Sequence, residues 1–193
     1  LKRYLHTTEV SLPQFYVIPK VHKNLWSSRP IIPSHSWVTS RASDVVDYSL
    51  QPLLKNLNFV LNSTKAFLTE LRKAVISLDN CILVSGDVRA MYTNISPNNA
   101  YFAVNKFLHN KDNIAGYNFE GTLQLLKYIL RNNFFAYENR IYWQKSGLAM
   151  GTSCAPVVAN LYVAAHEINV LPELRKKGLL YFGRYIDEIF YIL

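Results

Sequence analysis

The chain has 193 residues, enough for one domain with a real core, and is half hydrophobic and 13% aromatic, which excludes a disordered tail or linker. Its formal net charge of +8 favours a polyanionic partner, with nucleic acid ahead of an anionic membrane surface. Two cysteines (Cys81, Cys154) outside any metal-ligand spacing and five scattered histidines argue against a disulfide framework and a zinc cluster, so a reducing interior is the default.

In chain order, the first forty residues hold most of the turn signals and an excess of base: Lys2, Arg3, Lys20, Lys23 and Arg29, with Arg41 just beyond, are set against Glu9 alone. Residues 12–19 read as a short strand bracketed by prolines, and Arg29–Pro33 as another. A helix is expected over Ala42–Leu57, with Val46, Leu50, Leu53, Leu54 and Leu57 on one face and Pro52 kinking or dividing it. Ser63-Thr64 suits the cap of a helix from Lys65 to Ala74. A strand follows over Ile82–Val88, then helices over Pro97–Leu108 and Gly121–Arg131.

Residues 134–137 and 140–144 read as a hairpin turned at Glu138-Asn139. The run Ala155–Leu171 repeats apolar residues at helical spacing, with Ser153 as its cap and Pro172 as its stop. Asn160, His166, Glu167 and Asn169 interrupt it, so it is not expected to span a membrane. Arg175-Lys176-Lys177 reads as a helix-end charge cluster. These elements imply an α+β layering, an antiparallel sheet with helices packed on one face. The chain begins without Met and ends inside a strand-like run, which reads as a fragment.

The chemistry concentrates in a few acids. Residues 179–193 read as a strand, two adjacent carboxylates (Asp187, Glu188), then another apolar strand. Negative charge gathered at a hairpin tip is costly without a divalent cation. Asp87 follows a second apolar run, so two acidic strand ends in a basic chain suggest two-metal phosphoryl transfer on nucleic acid. The bland alternative is that both are turn acids.

Residues 85–95 (Ser-Gly-Asp-Val-Arg-Ala-Met-Tyr-Thr-Asn-Ile), 147–156 (Gly-Leu-Ala-Met-Gly-Thr-Ser-Cys-Ala-Pro) and 184–188 (Arg-Tyr-Ile-Asp-Glu) together resemble reverse-transcriptase palm motifs A, B and C. Their wording is similar to that of Penelope-like retroelements. Pro19–Lys23 and Arg29–Ile32 resemble fingers segments of the same family. The resemblance implies fingers-like segments over about 1–80 and a palm over about 81–193, with no thumb within the chain. It implies RNA-directed DNA polymerase activity that adds dNTPs to a DNA primer on an RNA template. Two Mg²⁺ ions, or Mn²⁺, would serve as cofactor, in a nuclear, non-secreted protein.

By the same resemblance Asp87, Val88 and Asp187 form the metal site, and Asp87, Asp187 and Glu188 are the catalytic residues, Glu188 standing where the family carries a second Asp. Tyr92 becomes the steric gate against a ribose 2′-hydroxyl, its alternative being a core tyrosine. Lys20, Arg29, Met150 and Gly151 are expected at the nucleotide, and Lys23, Gln144, Gly147 and Pro156 at template or primer. A solvated basic face is the alternative for the lysines. The free N–H groups of the helix after motif B also suit a phosphate neighbourhood. Glu188 puts its carboxylate one methylene further out, which leaves a decayed nucleic-acid-binding remnant as a second reading. An RNA-synthesising polymerase of the same palm architecture is a third, and Tyr92 argues against it.

Overall fold

The computed structural model describes residues 2–5, 9–21, 27–74, 81–109 and 119–193. A short helix, α1 (Lys2–Leu5), precedes the antiparallel pair β1 (Tyr16–Pro19) and β2 (Ser28–Ile31). Then come α2 (Ser40–Lys55), α3 (Thr64–Lys73), β3 (Leu83–Asp87), the single turn α4 (Met91–Asn94), α5 (Pro97–His109) and α6 (Phe119–Arg131). The hairpin β4 (Phe134–Tyr137) and β5 (Arg140–Trp143), the long helix α7 (Ala155–Lys176) and the hairpin β6 (Tyr181–Tyr185) and β7 (Glu188–Ile192) complete it. The α+β layering expected from the sequence is the one observed.

The core lies in the helical layer. Val46 and Leu50 of α2, Val104 of α5, Leu126 of α6 and Leu161 of α7 are all fully buried. Each such side chain contributes on the order of 1.5–3 kcal/mol. The first half of α7 is buried nearly all round, because it runs through the middle of this layer. Its second half emerges to solvent.

The central sheet has the antiparallel order β3-β7-β6. Residues 59–61 add to its β6 edge, with the Leu61 N–H donating to the Arg184 carbonyl at 2.7 Å. Arg184 turns towards α7, whereas Phe67 of α3 packs on Tyr181 and Phe190, whose positions in the alternation lie on the opposite face. That opposite face therefore stays open beyond α3, and it carries Asp87 and Glu188 directly paired across the strands.

Ser63 caps α3 as expected, accepting from the Ala66 N–H at 3.1 Å. Three local expectations are corrected. Pro52 does not divide α2, and Pro172 does not stop α7, which runs on to Lys176. In each case the carbonyl that loses its partner belongs to an exposed residue, Tyr48 or Ile168. Ser153 does not cap α7; Cys154 occupies the cap position, and its N–H donates to the Ser43 hydroxyl at 2.9 Å.

Candidate nucleotidyl-transfer site

Asp87 is the last residue of β3, and Asp187 is the second residue of the two-residue turn joining β6 to β7. The Val88 N–H donates to the Asp187 carbonyl at 2.7 Å, which binds the hairpin tip to the end of β3. Asp87 and Asp187 stand at the junction of two open chambers of about 1200 and 920 Å³, the smaller within the usual size range of ligand sites and the larger above it. Lys20 and Arg29 of the β1–β2 region border both chambers, as the two acids do.

The larger chamber lies between β2, the end of β3 and the loop before α7. Val88, Tyr92, Met150, Gly151 and Pro156 line it. The smaller lies on the open face of the sheet beside the start of α3, where Ser63, Phe67, Ser85, Tyr185 and Glu188 meet. Glu188 thus faces the second chamber, while Asp187 faces both. Among the described residues no three His, Cys, Asp or Glu side chains converge into a preformed metal cage.

Tyr92 is half-buried. Burial first, and the nearby Asp187 carboxylate second, hold its phenol above the ordinary value of 10.0, so it stays uncharged at neutral pH.

The 147–156 loop acts as a two-ended clamp. At one end Gly147 (φ +77°) is buried so closely that a Cβ would sit 3.2 Å from the Thr93 Cα, and the Leu148 N–H donates to the Tyr92 carbonyl at 2.7 Å. At the other, Gly151 (φ +120°) leaves no room at all: a Cβ there would lie 2.4 Å from the Ile32 carbonyl oxygen. The Ile32 N–H donates to the Met150 carbonyl at 2.8 Å, and the Ser34 and Thr152 hydroxyls share a hydrogen bond at 3.0 Å. Tyr92 and the strand bearing Arg29 are thereby held by one loop.

Gly147 and Gln144 lie outside both chamber linings. Gly147 serves close packing, and the Gln144 amide donates to the Ser146 carbonyl at 3.0 Å. Lys23 falls outside the described residues. At the start of α7 the Cys154 and Ala155 N–H groups already have acceptors and both residues are buried, so these two are not free for a phosphate. The Cys154 thiol is pushed up to about 12, chiefly by burial, so it is an inert packing group.

Sequence reasoning missed the group that holds the tip. Arg184 is completely buried. Its Nε donates to Glu167 Oε1 at 2.6 Å, and its Nη atoms donate to Asn160 Oδ1 (2.6 Å), the Asn160 carbonyl (3.1 Å) and the Ile186 carbonyl (2.7 Å). A signal was available: Asn160 and Glu167 are seven residues apart in an apolar helix, hence on one side of it.

No family model and no curated protein matches the chain. Solved structures do. The telomerase of Candida albicans in complex with a TWJ fragment of telomeric RNA matches at a TM-score of 0.66 and 12% identity, over 94% of this chain and 38% of the other. Apo telomerase of Candida tropicalis truncated from its C-terminal domain matches at 0.63 and 11%, over 93% and 43%. The fold is that of a reverse-transcriptase-like domain. The chain spans less than half the length of these structural neighbours. No described helix is long and apolar enough to cross a membrane.

Proposed function

We propose that the chain is the fingers-and-palm portion of an RNA-directed DNA polymerase, Penelope-like in its motif wording, that adds dNTPs to a DNA primer on an RNA template. The observation that carries this reading is that Asp87, at the end of β3, and Asp187, in the β6–β7 turn, both line two open chambers that Lys20 and Arg29 also border. The telomerase-like fold supports a nucleic-acid partner. A retroelement enzyme of this kind would work in the nucleus.

The donor set fits magnesium. Magnesium binds through one or two carboxylates and substrate phosphates, keeping several waters, rather than in an all-protein cage. Two aspartates on an open junction meet that requirement, with Val88 beside them. When bound, a pair of such ions supplies activation of the primer 3′-hydroxyl and stabilisation of the leaving pyrophosphate.

The protein residues supply the rest. Arg29 and Lys20 offer a bidentate fork and a point charge to the triphosphate. Uncharged, half-buried Tyr92 presents a rigid ring on the floor of the larger chamber, where it would collide with a ribose 2′-hydroxyl. Its backbone is pinned by Leu148, so the ring cannot retreat freely.

Primer extension on an RNA template, with Mg²⁺ or Mn²⁺, tests the reading. Asp187→Asn should lower synthesis by more than ~10²-fold, because second-shell losses alone cost 10–100-fold. Glu188→Asp should raise it. Synthesis that is unchanged in Asp187→Asn would overturn the assignment. A parent that is silent but rescued by Glu188→Asp would mark a decayed enzyme, the alternative that Glu188 itself favours. Unaltered ribonucleotide rejection in Tyr92→Ala would remove Tyr92 as the gate.

A further inference from the structure

The β6–β7 turn carries a strained residue. Ile186 has φ +55°, the left-handed region that β-branched side chains avoid, and it holds the first position of a two-residue turn where glycine is the usual choice. Such strain persists only where surrounding structure over-determines it. The structure around it is the Arg184 cluster. A guanidinium with no exposed surface is expensive to bury, and a buried ion pair is poor evidence for stability in itself.

The geometry of the cluster suggests what the cost secures. One Nη1 atom donates both to Asn160 Oδ1 and to the Ile186 carbonyl, so the turn is tied directly to α7. Glu167 fixes the other edge of the same planar group through Nε. On its far side the turn is tied to β3 by the Val88–Asp187 bond. The turn is therefore held from the rigid helical layer on one side and from the Asp87 strand on the other.

We propose that Arg184, oriented by Glu167 and Asn160, is a positioning residue that locks the strained Ile186–Asp187 turn and so sets the Asp187 carboxylate against Asp87. The functional half of this proposal rests on the reading of Asp187 as a metal ligand; the positional half does not.

Two readouts separate them: hydrogen exchange at the Val88 amide, and Mn²⁺ affinity by electron paramagnetic resonance. Arg184→Met combined with Glu167→Met removes the charges as a pair and keeps volume, so the fold should survive. Arg184→Lys keeps the charge opposite Glu167 but has no fork to reach Ile186 as well, and it serves if the double variant fails to fold. In either variant Val88 exchange should quicken by about tenfold or more, the loss of roughly one hydrogen bond, with Leu126 in α6 unchanged. Mn²⁺ affinity should fall about tenfold.

Val88 exchange equal to the parent's, or quickened only in step with Leu126, overturns the proposal and leaves Arg184 a purely structural residue. Selective quickening at Val88 in a protein whose Mn²⁺ affinity is indifferent to Asp187→Asn upholds the lock and defeats only the ligand assignment.

Discussion

The β4–β5 and β6–β7 hairpins both turn on two residues, yet their tips are built on opposite terms. In β4–β5 both tip residues, Glu138 (φ +47°) and Asn139 (φ +59°), adopt the left-handed backbone that matches the twist of the strands. Asn tolerates that region, both residues are exposed, and the tip holds itself. In β6–β7 an isoleucine takes the strained position, half-buried against the core, and a buried arginine grips its carbonyl. One hairpin is shaped by local chemistry. The other is shaped by side chains of the preceding helix, 17 and 24 residues back from Arg184, and it is the one that presents the acid.

Arginine removal should break this contrast most. Arg184→Ala leaves Glu167 buried without its partner and should destabilise the protein by about 3–5 kcal/mol. Arg140→Ala, at an exposed position in the other hairpin, should change stability by no more than about 0.5 kcal/mol. Denaturant titration of the two variants checks the difference. Similar losses would mean the Arg184 cluster does no more than a surface charge.

Both tips should favour glycine on backbone grounds, but only at the β6–β7 tip is packing lost with the side chain. At position 186, Ala keeps the backbone strain and loses the isoleucine packing, whereas Gly loses the packing but relieves the strain. Ile186→Gly should therefore be more stable than Ile186→Ala by about 1 kcal/mol, reversing the usual preference for Ala over Gly. In the other hairpin Glu138→Gly has no packing to lose and should gain up to about 1 kcal/mol. Thermal midpoints rank all three. If Ile186→Ala proves the more stable of its pair, the turn is not strained.

What could be read from residues alone divides along the same line. The Glu138-Asn139 turn, the Ser63 cap and the apolar face of α2 were legible because neighbours in sequence decide them. That Asp87 and Asp187 would come to one place was legible through the order of motifs, since acids at strand ends in a basic chain carry a chemical meaning, and both line the same two chambers. Arg184 was missed: a lone arginine beside a tyrosine looks the same whether it faces solvent or a glutamate, and only the polar Asn160 and Glu167 on one side of an apolar helix pointed to its partners. Gly147 was expected at the template, but its closest neighbours are Tyr92 and Thr93, and only tertiary contact decides that. The prolines in α2 and α7 misled for the converse reason. A lost backbone bond is cheap where water can replace it.

The smallest effect probes the charge on the presenting hairpin. Glu188 lies directly opposite Asp87 across the strands, and like charges so placed repel. Both residues are exposed, so water screens much of the repulsion, and Glu188→Gln should stabilise the metal-free protein by no more than about 0.5 kcal/mol. In millimolar Mg²⁺ the order should close or invert, because a cation that binds only the folded state stabilises the parent by mass action and the Gln variant less. Glu138→Gln, at the tip with no acid opposite, should show neither the gain nor the magnesium response. Melting curves in chelator and in Mg²⁺ make the comparison. A Glu188→Gln variant that gains nothing in chelator and responds to Mg²⁺ as the parent does would mean that Glu188 takes no part in holding the cation, and that Asp87 and Asp187 act without it.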